Sequence, residues 1–158
     1  MFIPTHSERN RYNVLGALDA ITHSILSVCN TAYVNHLSVI ELLEKIRDIH
    51  KESIIPISVF LDNAKYQACK AVRDRAAILN IERMYLPSYS PNLNLTERFW
   101  KWVKKDCLNC KYYCKFCEFK NALDNSLNKI ANGQVKYELD SLLSLKFQSF
   151  NNSVYCRA

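Results

Sequence analysis

Two acidic residues in dissimilar settings, Asp62 and Glu97, are separated by 34 residues and have the chemistry that metal-assisted phosphoryl transfer uses. Asp62 closes an apolar run, Ile54-Ile55-Pro56-Ile57-Ser58-Val59-Phe60-Leu61, which predicts a buried β-strand ending at Asp62-Asn63. Glu97 follows a proline-punctuated loop, Pro87-Ser88-Tyr89-Ser90-Pro91, and falls in the first turn of a helix expected over Asn94 to Lys105. Carboxylates on a strand end and on a later helix converge on divalent cations when both face one cleft. Each also has a plainer role. Asp-Asn is good turn chemistry at a strand end. With Asn94 as N-cap, Glu97 stands at the third helical position, where a capping box and the positive helix end are worth ~1 kcal/mol.

The charge surplus points the same way. The chain carries a net +6, and Arg98 to Lys120 holds seven basic residues against two acidic ones, a local +5. Lys101 and Lys104 share the helical face of Glu97, with Lys105 beside them and Trp100 and Trp102 flanking. Together with Arg98 and Lys111 they form a candidate grip on a DNA phosphate backbone, against the ordinary reading of a solvated helix face. Tyr112, Tyr113 and Phe116 interleave with Lys111 and Lys115, placed either to stack on unpaired bases or to pack the next helix onto the core.

Other chemistries find less support. Cys107, Cys110, Cys114 and Cys117 form a C-x2-C-x3-C-x2-C run, but zinc ribbons usually separate their two C-x-x-C knuckles by about 15 to 20 residues. The run also departs from iron–sulfur cluster spacing, so reduced thiols are the reading beside a cysteine-rich metal module. His6, His23, His36 and His50 are dispersed, and the sequence contains neither a glycine-rich phosphate loop nor a Ser or Cys nucleophile motif.

The elements that must position these residues follow from periodicity. A strand is expected over Arg11 to Asp19, with close packing at Gly16, and its hairpin partner over Ser24 to Thr31. Ser38 to His50 reads as an amphipathic helix with Val39, Leu42, Leu43, Ile46 and Ile49 inward and a Ser38/Glu41 capping box. After the Asp62 strand come a helix over Lys65 to Leu79, a strand over Ile81 to Leu86, the Glu97 helix and a last helix over Phe119 to Ile130. This order predicts an α/β domain whose sheet mixes a hairpin with parallel crossovers.

Phe60-Leu61-Asp62-Asn63-Ala64, followed by Tyr85-Leu86-Pro87-Ser88-Tyr89-Ser90-Pro91-Asn92-Leu93-Asn94-Leu95-Thr96-Glu97-Arg98-Phe99-Trp100, resembles the catalytic core of mariner-superfamily transposases, in particular their bacterial insertion-sequence branch. The similarity runs from about Arg11 to about Ile130. It implies a ribonuclease-H-like mixed sheet flanked by helices and an Asp-Asp-Glu triad holding two Mg²⁺ or Mn²⁺ ions that cut and rejoin transposon-end DNA. In this resemblance Asp62 and Glu97 are the second and third acids. The first lies on a central opening strand that Met1 to Asn10 does not supply. Asp19, on the neighbouring strand, is a distant substitute.

The resemblance therefore implies a partial catalytic domain over residues 1–130, a helical or irregular tail over 131–158, and little activity alone. Two histories fit: a relic of an insertion sequence, or a second frame completed by ribosomal frameshifting, which would associate with the upstream-frame product or with its own copies. A rival reading is a non-catalytic remnant that binds DNA or a transposase and modulates transposition. The 158 residues, 49% hydrophobic with two glycines and four prolines, suit one core without flexible linkers. No apolar stretch reaches membrane-spanning length and no signal peptide is legible, so a cytoplasmic setting with its seven cysteines reduced is expected.

Overall fold

The computed structural model describes residues 10–51, 55–62, 64–87, 94–109 and 111–144. Strands β1 (Asn13–Leu18) and β2 (Ile25–Asn30) form an antiparallel hairpin, with Asn13 opposite Asn30 and Leu18 opposite Ile25. Helix α1 (His36–Ile49) leads to β3 (Ile57–Leu61), and α2 (Lys70–Ile78) crosses over to β4 (Ile81–Tyr85), which pairs parallel to β3. Three helices follow: α3 (Leu95–Leu108), α4 (Phe116–Ala131) and α5 (Lys136–Leu142). Among the described residues the strands form two separate two-stranded sheets, β1–β2 and β3–β4. The expected mixed sheet is thus divided at the place where the resemblance puts a central strand.

Two cores sandwich the hairpin. Leu15, Ala17, Leu26 and Val28 face α1 and α2, where Val39, Leu42, Leu43, Ile46, Val72 and Ala76 are buried together with Ile57, Val59 and Ile81 from the second sheet. Strand alternation sends Val14, Leu18 and Ile25 to the opposite side, against Phe99, Val103 and Cys107 of α3 and Leu127 and Ile130 of α4. Leu139 and Leu143 of the α5 segment complete that second core. Gly16 shares the α3 side, and a Cβ there would lie 3.0 Å from Trp100 Cζ2 and 3.1 Å from Ile25 Cδ1. Gly16→Ala is accordingly expected to cost about 1–3 kcal/mol through overpacking, read as a lower urea midpoint at unchanged slope.

Three local expectations are corrected. Helix α1 is capped by Asn35, whose side chain accepts from the backbone N–H groups of Leu37 (2.9 Å) and Ser38 (3.3 Å). Ser38 is buried one turn inside and receives the Asn30 amide, so no Ser38/Glu41 box forms, because the chain enters the helix two residues earlier. Ile49, taken as an inward residue, is 62% exposed because the core-facing stripe ends at Ile46. The helix expected over Lys65 to Leu79 is broken into a 3-10 turn, Lys65–Gln67, and α2. Gln67 is buried and Cys69 packs against the same core, although two positions on a continuous helix point about 200° apart; the break lets both turn inward.

Candidate catalytic site

Asp62 stands one residue beyond β3, at the carboxyl end of the parallel pair, where open α/β sheets place their ligands. It is exposed, and among the described residues its Oδ1 accepts only a long bond, 3.4 Å, from Ala64 N–H. Asp62 therefore makes the weak side-chain turn that Asp-Asn chemistry favours and keeps most of its oxygen lone pairs open. Tyr66, half-buried on the turn that follows, feels its charge. Burial, and then the negative charge of Asp62, raise the Tyr66 phenol above its ordinary pKa.

Helix α3 carries the second acid. Asn94 caps it, its side chain accepting from Thr96 N–H at 3.1 Å, which makes Glu97 the third helical residue as expected. Phe99, Val103 and Cys107 recur every four residues and are buried, and this stripe fixes the roll of the helix. Glu97 is left exposed, and among the described residues its carboxylate has no hydrogen-bond or ion-pair partner, so the expected capping box stays open on that side. Alternation along β3 puts Asp62 in phase with Ser58 and Phe60, away from α1 and α2. Helix α3 lies on the side of the hairpin that also faces away from α1 and α2. Both acids thus belong to the layer opposite α1 and α2.

The basic residues divide. Lys101, Lys104 and Lys105 are exposed along α3 on the Glu97 side. Arg98 is half-buried and donates to the Ser144 carbonyl at 3.3 Å, in a shallow groove lined by Trp102, Lys105, Glu138 and Leu142. Lys111 donates to the Asp106 carbonyl at 2.6 Å and closes the carboxyl end of α3. Tyr113 donates its hydroxyl to the Cys107 carbonyl and packs edge-on against Phe119, which also meets Phe116. Tyr113 therefore joins helices α3 and α4, Phe116 packs within α4, and Tyr112 is exposed. Helix α4 starts at Phe116, three residues earlier than expected, where the Glu118 carboxylate accepts from the Lys115 backbone N–H at 3.3 Å.

Cys107 is buried in the second core, where burial and then the Asp106 charge push its thiol above the ordinary value. Cys114 and Cys117 are exposed at the start of α4, and Cys110 lies outside the described residues. Among the described residues no group of three or more His, Cys, Asp or Glu side chains is placed to hold a metal ion, and no helix is long and apolar enough to cross a membrane.

Asp19 closes the hairpin turn, its Oδ1 accepting from Ile21 N–H (2.7 Å) and Thr22 N–H (3.0 Å). Burial alone would raise its pKa, but the backbone donors of Thr22 and Ile21 outweigh it and hold the carboxyl below its ordinary value. A carboxylate with a lowered folded-state pKa stabilises above its unfolded value, about 3.9, and that stabilisation is lost as pH falls through the lower folded value. Asp19→Ala is expected to cost about 1 kcal/mol at pH 7 and much less near pH 2, measured by urea unfolding at both.

Sequence patterns gave no sign of the long-range ties that seat the helices. Tyr12 donates to Asp124 at 2.6 Å, and burial, then that bond, raise its phenol pKa strongly. His23 Nδ1 meets Asp140 at 2.6 Å, and Trp102 Nε1 donates to Glu138 at 2.9 Å, so α5 is held by both the hairpin turn and α3. Tyr66 was the one omission with a sequence signal, four residues beyond Asp62 on a predicted helix.

A hairpin held between two helical layers, with a parallel pair on one of them, matches the fold of ribonuclease-H-like transposase catalytic cores. The chain belongs to the DDE superfamily endonuclease family, whose model matches residues 2–120, about three quarters of its length. It is similar in fold to the catalytic domain of the Mos1 mariner transposase, with 16% identity and a TM-score of 0.50 over 90% of this chain and 82% of that one. A second structure of that domain, with Raltegravir and Mn, gives 15% identity and a TM-score of 0.50 over 89% and 83%. A search of curated proteins found no match.

Proposed function

We propose that this chain carries the catalytic core of a DNA transposase of the bacterial insertion-sequence branch, with Asp62 and Glu97 as two acids of a three-acid site. The observation that supports it is the exposure of Asp62 and Glu97, each with open carboxylate oxygens, in the layer opposite α1 and α2. Hard cations such as Mg²⁺ or Mn²⁺ take oxygen ligands, and these two carboxylates are the residues that would hold them. The donor set fits such ions in kind. When bound, such ions supply an activated water or 3′-hydroxyl and charge stabilisation at the leaving oxygen.

The chain's own part is to present the acids and grip the DNA. Lys101, Lys104 and Lys105 line the approach to Glu97 and suit phosphate contacts that fix the strand without reading sequence. Arg98 and Lys111 lend charge from positions that also hold α3 to its neighbours. Residues 1–130 would form the catalytic unit and 131–158 a tail whose α5 braces α3, working in the cytoplasm as an oligomer.

The test is an end-labelled transposon-end duplex incubated with the purified chain and Mg²⁺ or Mn²⁺. Metal-dependent nicking by the transposase that carries this core is expected, and it should be lost in Asp62→Ala or Glu97→Gln. Nicking that survives both substitutions overturns the site. The exposed lysine row also supports a second reading, a DNA-binding remnant without catalysis. Salt-dependent binding with no nicking under any combination would favour it.

A further inference from the structure

The cations of the α1–α2 layer fall into two groups. Arg75 is paired with Glu44 at 2.7 Å, Lys45 with Glu41 at 3.0 Å and Lys51 with Asp48 at 3.3 Å. Arg47 donates to the carbonyls of Leu79 and Asn80, both at 2.6 Å. Lys65, Lys70 and Arg73 form the other group. All three are exposed, and among the described residues none has an ion-pair or side-chain hydrogen-bond partner. From Lys65 to Arg73 the sequence holds these three basic residues and no acidic one, and Asp74 is the one acid of α2.

The position of the second group follows from the topology. Lys65 opens the 3-10 turn three residues after Asp62. Because β3 and β4 are parallel, α2 runs back along them as the crossover, and its first residue, Lys70, stands at the end of the pair where β3 releases Asp62. Arg73 shares the helical face of Lys70, while Val72 and Ala76 are turned into the core. Lys101, Lys104 and Lys105 belong to the opposite layer, on α3. Each layer beside the two acids thus carries an exposed cationic row.

Two exposed carboxylates repel a polyanion, and duplex DNA carries one negative charge per about 1.7 Å of its axis. A row on one layer holds the backbone on one side of the acids only, whereas rows on both layers hold it across them. We infer that Lys65, Lys70 and Arg73 form a second grip on the DNA backbone, so that one duplex crosses the Asp62 end of the β3–β4 pair. The α2 row holds its phosphates on one side of the reacting phosphodiester and the α3 row holds them on the other. The ligand is the phosphate backbone, which lysine meets as a point charge and arginine as a fork. The inference rests on the reading that Asp62 and Glu97 serve one DNA-processing site, but it concerns binding and not the cut.

The experiment is a salt series of fluorescence-anisotropy titrations of the full chain with a labelled duplex of arbitrary sequence, without divalent metal. Lys65→Ala, Lys70→Ala and Arg73→Ala together should lower affinity on the order of 10²-fold near 0.1 M salt and reduce the slope of log affinity against log salt by about 2.7. Combined with the loss of the three α3 lysines, the reduction should reach about 5.4, since each removed phosphate contact contributes roughly 0.9. The charge-preserving set Lys65→Arg, Lys70→Arg and Arg73→Lys should keep the original slope. Lys45→Ala with Lys51→Ala, which removes two paired cations of the same layer, should change it by less than about 0.5. Far-UV circular dichroism should be alike for all variants, because the substituted side chains are exposed. Asp62→Ala should bind DNA with both rows intact, and this separates a failed grip from a failed active site. An unchanged slope in the α2 variant beside a reduced one in the α3 variant overturns the second grip and leaves the site standing. A loss as large from the Lys45 and Lys51 pair overturns it as well, by reducing the effect to net charge. Two duplexes bound per chain, of which the α2 variant loses one, overturns the single path. No DNA binding by the unsubstituted chain overturns the grip and the DNA-processing reading together.

Discussion

Replacing Lys101, Lys104 and Lys105 together with alanine is expected to lower DNA affinity by on the order of 10²-fold near 0.1 M salt. All three ammonium groups stand on the solvent side of α3. If each neutralises one phosphate, the slope of log affinity against log salt should fall by about 2.7, since each contact contributes roughly 0.9 on duplex DNA. The loss should be uniform across DNA sequences, because phosphate contacts carry no base information. Fluorescence anisotropy over a salt series measures both numbers. An unchanged slope would mean that these lysines are an ordinary solvated face.

Phe99→Ala is expected to cost about 3–5 kcal/mol, a large part of the ~5–15 kcal/mol that holds a small domain together. Phe99 is fully buried, packs edge-on against Trp100 with ring centroids 5.1 Å apart, and sits two residues after Glu97 in the stripe that sets the roll of α3. Urea unfolding gives the loss directly, and near-UV circular dichroism should show weakened tryptophan asymmetry before the far-UV helix signal falls. A cost below about 1 kcal/mol would place the core of the α3 layer elsewhere.

Much of the fold is legible in the sequence because its signals are local. The apolar run into Asp62, the Val39-to-Ile46 stripe and the Asn94 cap each declare an element through a few adjacent residues, and Gly16 announces the close approach that Trp100 makes. Helix boundaries were less legible where side chains from elsewhere decide them. Burial of both Gln67 and Cys69 broke a helix that periodicity would continue, and Asn35 displaced Ser38 as the cap. For the candidate site, Asp62 and Glu97 come from motif spacing, whereas the separation of Arg98 and Lys111 from the free lysines depends on Ser144 and on the end of α3. Sequence spacing gives a residue's position on a helix but not what lies opposite it. The partners Tyr12–Asp124 and His23–Asp140 lie 112 and 117 residues apart, and nothing in either neighbourhood marks the other.

Both tryptophans of the chain are on α3, and they look in different directions. Trp100 covers Gly16 of the hairpin, while the Trp102 indole is tied to Glu138 of α5. Single-tryptophan versions of the protein would therefore carry two separate optical probes on one helix. One would register how firmly the Glu97 helix sits on the hairpin, and the other whether the last helix has docked.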